Sequence, residues 1–506
     1  VPPGTPEDGR RPVAVAEPPV APLAALLAAG EAALERGEGA RAVAALTDAL
    51  AMAPHEVGIA LALANGHRLA GDFAAERDTL HTAWRTGRWG TAPEQAHALG
   101  AALLRVGHAH EAATCFEQVL ASHPEAPAAL AALASARRQE GRPVEAWPLV
   151  ARAVRQAPTN GAVLLTSAQV RHDLGDLAGA LTWLDKAERA RPGHAGTRLQ
   201  RAYTVLLGGA CHEGWTLFEH RALPQGPAGV RPWQGEPLAG SSVLVVAEQG
   251  VGDQLQFLRF VPSLHERGAS RVLVECPSSL STLLQANGFE TVARGSDVSV
   301  TWSVPLMSLP LRLGTDRDVA GHTVPYLGAP ALTSDRTHAA RTERPAGHGA
   351  RLRLGLVWAG NPDFPGRALR DLDAAALQAV LEIPDVDWVP LQMGAAADAV
   401  PASMFRLPPA TDWAMTSARL AELDGLVTTD TGIAHLAGAM DMPTWVLLQH
   451  VPDWRWGLSG ERTAWYPSAR LVRQPAPRDW LGAISRLAAL LADASPRAWT
   501  APRAAG

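Results

Sequence analysis

Over residues 22–222, apolar positions recur with helical spacing, and the runs they form are cut at regular intervals by glycine. Gly37, Gly71, Gly107, Gly141, Gly175 and Gly209 stand 34, 36, 34, 34 and 34 residues apart. Five positions after most of them comes a small residue (Ala42, Ala112, Ala146, Ala180, Gly214), and seventeen positions after comes proline (Pro54, Pro124, Pro158, Pro192). The second unit departs, with Glu76 in the small position and Arg88 in the proline position. Each unit predicts two amphipathic helices. Glycine suits the turn between them, the small residue lets them pack closely, and proline ends the second because it has no N–H to donate. One such hairpin cannot bury its own apolar face, so neighbours stack into a solenoid.

The pattern runs through five full units and a sixth partial one ending in GWTLFEHR, and it resembles the tetratricopeptide repeat. That resemblance implies a concave groove for a peptide or protein partner. The alternative is a scaffold that only supports the second half of the chain. The groove positions carry no single charge signature.

A linker at 223–240 (PQGPAGVRPWQGEPLAG within it) breaks the repeats, and the periodicity changes after it. SSVLVVAE (241–248) reads as a buried strand, QLQFLRFVPSLHERG as a helix, RVLVEC as a strand, SSLSTLLQANG as a helix and VSVTWSVPL as a further strand. After a break around 328–350 the alternation restarts. RLRLGLVWAG and DWVPLQMG read as strands on either side of the helix DAAALQAVLEI. SARLAELDGLVTTD then gives a helix and a strand, TGIAHLAGAMD a helix and PTWVLLQ a final strand. Alternation of this kind predicts doubly wound parallel sheets, in two units at 241–335 and 350–495. Ligands of such sheets bind at the carboxyl ends of strands.

Composition narrows the classes. Of 506 residues 47% are apolar and 19% charged, which excludes a mainly disordered chain. A balance of 45 basic to 50 acidic residues does not favour a nucleic-acid partner, which needs a concentrated basic face. Lys186 is the single lysine, so any other active-site cation is arginine or histidine. Cys115, Cys211 and Cys276 stand far apart, which excludes a disulfide framework and a cysteine-based zinc site and fits a reducing, cytoplasmic compartment. No apolar run is long enough to span a membrane. The proline-rich start over 1–21 reads as a flexible tail without a signal core, and 496–506 as a second tail.

Four strand-end loops carry candidate chemistry. In Gln249-Gly250-Val251-Gly252-Asp253, paired glycines allow a tight turn and close approach, and Asp253 either caps a helix or faces a ligand. Asp430-Thr431-Gly432, with His435 one helical turn beyond Thr431, opens a helix whose unpaired amides suit a phosphate, although a lone helical histidine is also a common structural residue. Trp358-Ala359-Gly360-Asn361, with Arg367 and Arg370 downstream, offers cations for a diphosphate or simply solvated arginines. Gln392 is a weaker candidate for nucleotide-base recognition. The fourth loop, Pro452-Asp453-Trp454-Arg455-Trp456 with Trp465-Tyr466-Pro467, reads chiefly as aromatic packing.

Together, EQGVGDQLQFLRFVPSL, LGLVWAGN, ELDGLVTTDTGIAHLAGAM, PDWRWG and WYPSARLVRQ resemble repeat-containing glycosyltransferases whose catalytic part is similar to bacterial heptosyltransferases. The architecture is also similar to protein O-GlcNAc transferases. The resemblance implies an α-solenoid followed by a GT-B fold of two Rossmann-like domains. It further implies inverting, metal-independent transfer of a sugar from a nucleotide-sugar co-substrate. By that resemblance Asp253 is the general base and Asp430, Thr431, Gly432 and His435 form the donor-binding turn; the loop readings above add Gly252, Asn361, Arg367, Arg370 and Gln392 to the expected donor site. The loop after WAGN departs from its relatives, reading PDFPGRALRDLD, and the heptosyltransferase-type lysine is absent. The expected acceptor is a serine or threonine of a protein docked on the repeats, with a bacterial surface protein such as flagellin as one candidate. Two rivals stand beside this reading: a non-catalytic adaptor with a degenerate domain, and an enzyme acting on a glycan or lipid-linked saccharide.

Overall fold

The computed structural model describes residues 20–87, 89, 92–315, 324–330, 351–361, 364, 366–400 and 410–493. The tails up to residue 19 and over 496–506, Arg88, and most of the break at 328–350 lie outside the described residues.

Six helical hairpins come first. They are α1 (Val20–Glu35) with α2 (Gly39–Met52), α3 (Val57–Leu69) with α4 (Phe73–Arg85), and α5 (Pro93–Arg105) with α6 (Ala109–Ser122). Then follow α7 (Pro127–Gln139) with α8 (Pro143–Gln156), α9 (Gly161–Asp173) with α10 (Leu177–Ala190), and α11 (Ala195–Leu207) with α12 (Cys211–Phe218). The six periodic glycines close the first helix of each pair in the left-handed region, with φ between 70° and 87°. One residue further on, an amide reaches back to the first helix in every turn, from Glu38 to Ala33 (2.9 Å) through Ala210 to Val205 (2.8 Å). This is the hydrogen bond of a Schellman cap. The small positions are buried as expected. Glu76, which breaks the rule, is buried too and pairs with Arg105 of α5. The chain divides by packing into two compact units, Val1–Pro124 and Glu125–Gly506, so the division falls within the repeat array and not at the linker.

The reason lies in the last hairpin. Trp215 and Phe218 of α12 share one apolar core with Val243, Val245, Phe257 and Val304 of the region that follows. That region holds β1 (Arg231–Pro232), β2 (Ser242–Val246), α13 (Val251–Phe257), α14 (Pro262–Glu266), β3 (Arg271–Cys276), α15 (Ser278–Ala286), β4 (Glu290–Ala293), β5 (Trp302–Pro305) and α16 (Leu309–Leu313). Its strands form a parallel sheet in the order β1-β5-β2-β3-β4. The expected linker therefore supplies an edge strand, β1. The single helix expected after β2 is broken into α13, a 3-10 turn at Leu258–Phe260, and α14, which begins at Pro262.

A second parallel sheet, in the order β10-β9-β8-β6-β7, is built from β6 (Leu352–Val357), α17 (Arg367–Arg370), α18 (Ala374–Leu381), β7 (Val386–Pro390), α19 (Trp413–Ala421), β8 (Gly425–Thr429), α20 (Gly432–Ala439), β9 (Thr444–Leu448), β10 (Ala469–Arg473) and α21 (Trp480–Ala492). Alternate residues face opposite ways, as the pleat requires. Leu354, Leu356, Val427 and Leu447 pack under α18 and α21, whereas Leu426, Val446 and Leu448 join the core shared with the first sheet. PTWVLLQ was expected to be the last strand, but β10 pairs with it residue for residue from Ala469↔Thr444 to Arg473↔Leu448. The three cysteines are free. Among the described residues no helix is long and apolar enough to cross a membrane.

Candidate active site

In the second sheet the chain passes from β6 to β7 on one side, then returns to β8 on the other. The loops leaving β6 and β8 therefore diverge, and an opening forms at their carboxyl ends. Gly360 and Asn361 lie on the first loop, and Asp430, Thr431 and Gly432 on the second. The structure brings them together. A Cβ placed on Gly360 would stand 3.6 Å from Thr431 Cγ2, and Thr431 Oγ1 lies 2.9 Å from Thr428 Oγ1. Arg370 joins them from α17, its Nε 3.5 Å from Asp430 Oδ2 and its guanidinium 4.4 Å above the Phe364 ring. Arg367, at the start of the same short helix, is exposed.

Gln392, after β7, has a different task from the expected one. Its carbonyl oxygen accepts the amides of Trp358 (3.1 Å) and Ala359 (3.0 Å), and its amide nitrogen donates to the carbonyls of Ala359 and Met393 (both 3.1 Å). Two donors and two lone pairs are thus all engaged, and none is left to read a base. Asp371 completes the clamp by accepting the Gly360 amide at 2.9 Å. Burial pushes the Asp371 carboxyl above the ordinary aspartate range.

From the first sheet, the loop after β2 enters α13 through a left-handed Gln249 (φ 54°). Gly250 caps the helix, and its amide donates to Asp253 Oδ2 at 3.0 Å. Asp253 thus serves the helix start, one turn inside it. Gly252 was expected to face the donor. Instead a Cβ there would meet His435 Cδ2 at 3.0 Å and Gly432 Cα at 3.1 Å. Its smallness lets α13 lie directly on the first turn of α20, which Trp413 also approaches. Thr431 and Gly432 stay half-buried there.

The residue that ties the two sheets together was read as packing. Arg455, in a 3-10 turn after β9, donates Nε to Gln256 Oε1 (2.6 Å) and Nη1 to Asp453 Oδ1 (2.8 Å), and Nη2 bonds Asp253 Oδ1. Its guanidinium also lies 4.3 Å over the Trp454 ring. Burial works against its charge, but Asp453 and then Asp253 outweigh burial and raise its pKa. The same balance holds for Asp453: burial raises its carboxyl, yet Arg455 and then Arg370 pull it below the ordinary range. The aromatic reading holds for Trp454, Trp456, Trp465 and Tyr466, which are all buried. The signal for the rest was an acid and an arginine set among buried residues, Pro452, Trp454 and Trp456, where neither charge can stay unpaired.

His435 is a buried imidazole, held neutral. Its Nδ1 lies 3.0 Å from the Tyr466 hydroxyl, and its ring stacks on Trp456 at 5.5 Å. Burial, then Arg455, pushes its pKa down to about 3. Its imidazole shifts are expected to stay flat in an NMR titration from about pH 8 to about pH 4. The unfolded chain takes up this proton near pH 6.5. Between that pH and about 3 the unfolded state therefore binds more protons, and stability declines as pH falls. Unfolding midpoints at pH 7 and 4.5 should differ more for the unaltered chain than for His435→Asn. Equal differences would refute the buried-neutral assignment.

Tetratricopeptide-repeat models match residues 97–161 and 137–203. Residues 97–203 are tetratricopeptide repeats. Protein FlbA of Caulobacter vibrioides is 26% identical over 440 residues, covering 79% of this chain and 73% of that protein. Among solved structures, a tetratricopeptide repeat protein of Parabacteroides merdae is 16% identical over 39% of this chain and 76% of that one (TM-score 0.35). PilF of Pseudomonas aeruginosa is also 16% identical, over 39% and 89% of the two chains (TM-score 0.30). The last tetratricopeptide-like hairpins adjoin the Arg455 turn. Trp215 meets Trp454 edge-on at 5.2 Å, and the Tyr203 phenol is raised by burial and then by the nearby Asp453 carboxylate. His172 of α9, its Nδ1 3.2 Å from Thr204 Oγ1, lies within the same field.

Proposed function

We propose that the chain is an inverting glycosyltransferase of the GT-B type. It would move a sugar from a nucleotide donor to a hydroxyl of a protein held by the repeats, without a metal ion. The observation that carries this reading is the convergence at the carboxyl ends of β6 and β8. The switch point between β6 and β8, with Gly360, Asn361, Asp430, Thr431 and Arg370 around it, lies in the same unit as an acid–arginine cluster whose Asp253 comes from the first sheet. In this reading Arg370 and Arg367 offset charge on the leaving diphosphate. The acceptor oxygen attacks the anomeric carbon from the opposite face, its proton passes to a carboxylate of the cluster, and the bond to the diphosphate breaks. The resemblance proposes Asp253 as that carboxylate.

One observation favours the adaptor instead. Arg370 is already paired with Asp430, and Arg455 with two aspartates, so an incoming diphosphate competes with carboxylates for each of these cations. Thermal unfolding with UDP-, GDP-, ADP- and CMP-sugars in the presence of EDTA separates the two. A ligand at a hundred times its Kd stabilises by about 2.7 kcal/mol. A raised midpoint with one nucleotide class is the result expected of the enzyme, and no shift with any of them is the result expected of the adaptor.

A further inference from the structure

We infer that Asp453, and not Asp253, is the carboxylate that receives the acceptor's proton; this rests on the glycosyl-transfer reading. The carboxylate oxygen that accepts fewest hydrogen bonds is the most available to take a proton, because each bond it accepts stabilises its charge. Both Asp253 oxygens are engaged, Oδ1 by Arg455 and Oδ2 by the Gly250 amide at 3.0 Å. Asp453 gathers its contacts on one oxygen, where Oδ1 accepts the Arg455 amide at 3.1 Å and Arg455 Nη1 at 2.8 Å. Among the described residues no hydrogen bond reaches Asp453 Oδ2, and the side chain is 21% exposed. Its neighbours Pro452, Trp454 and Trp456 are buried and hold the turn in place.

The surroundings of Asp453 agree with a reacting group. On the sheet side Asp453 is joined through Arg455 to Asp253, whose neighbour Gly252 packs on Gly432 after β8, and on the repeat side its neighbour Trp454 meets Trp215. The turn therefore stands between the place proposed for the donor and the repeats proposed for the acceptor. Asp253 becomes a positioning residue. From inside the first turn of α13 it holds the guanidinium that holds Asp453. In the reaction, the acceptor O–H proton moves to Asp453 Oδ2 while the oxygen bonds to the anomeric carbon. The electron pair of the sugar–phosphate bond leaves with the nucleoside diphosphate.

The test uses water as acceptor and follows release of the nucleotide (UDP, GDP, ADP or CMP) from the corresponding nucleotide sugars by the whole chain. Asp453→Asn is expected to lower kcat by ~10²–10⁴ with donor KM within about twofold. For Asp453→Ser, formate is expected to restore part of the rate, because an external carboxylate can take the proton. Asp253→Asn is expected to lose no more than about tenfold. It should also move the acid limb of the kcat profile to lower pH, because Arg455 then serves Asp453 alone. Near-normal kcat in Asp453→Asn, or no rescue of a folded Asp453→Ser, would overturn the assignment and leave the glycosyl-transfer reading standing. Absence of release from every donor by the unaltered chain would overturn both.

Discussion

Replacing Arg221 with Met is expected to cost about 3–5 kcal/mol of stability, measured as a fall in the urea midpoint at unchanged m-value. Arg221 follows α12 at the end of the repeats and is 7% exposed. Its Nε and Nη2 each donate at 2.8 Å to Glu248, which is 5% exposed at the end of β2. Further bonds run from Arg221 to Glu219 (2.8 Å) and to the Ser308 hydroxyl (2.8 Å), and Glu248 Oε1 also accepts the Met307 amide (2.8 Å). One guanidinium thus joins the last hairpin, β2 and the turn after β5. Met preserves much of the volume but strands a buried carboxylate, whose desolvation the single Met307 amide bond offsets only in part. The double variant Arg221→Met, Glu248→Leu should recover most of the loss, because removing both charges removes the stranded one. Additive losses would show that the pair is not the cause.

Arg455→Met is expected to destabilise less, by roughly 1–3 kcal/mol, because Asp253 and Asp453 are each partly open to water and can rehydrate. Its larger effect is on the chemistry. Without the shared cation both carboxylates lose their orientation, and any turnover should fall by ~10²-fold or more. The pH dependence gives a separate check. Asp453 is held below its unfolded pKa, so its contribution to stability is present above about pH 4 and disappears as pH falls through the folded value. The gap between the unaltered chain and Arg455→Met should therefore be widest near neutrality and close in acid. A gap independent of pH would mean that Arg455 acts by packing alone.

Much of the architecture could be read from local signals. A glycine every 34 residues reports a left-handed turn, and each of the six turns has that φ. RVLVEC coincides with β3, and the strand–turn–helix of LVTTDTGIAHLA with β8 and α20. Elements whose pattern depends on a distant partner were harder to read. β1 has two residues, both exposed, and exists only because Arg231 and Pro232 align with Trp302 and Ser303. β10 begins and ends near arginines and has little apolar run of its own. The site divides in the same way. The β6 and β8 loops were legible because strand ends and glycines mark them. The Arg455 cluster was not, because its partners Gln256 and Asp253 are 199 and 202 residues away in the chain. Gly252 and His435 carried a motif that pointed to a ligand, and the contact between α13 and α20 explains both without one.

A nucleotide sugar bound at the carboxyl ends of β6 and β8 is the central requirement of the proposed function. Calorimetric titration of the unaltered chain in EDTA with UDP-, GDP-, ADP- and CMP-sugars tests it directly. Saturable binding of one nucleotide class is expected, with Kd between about 1 μM and 1 mM, weakened ~10-fold or more in Arg370→Met by loss of a charged hydrogen bond. Absence of heat with all four into the millimolar range, or binding that ignores Arg370, would contradict it.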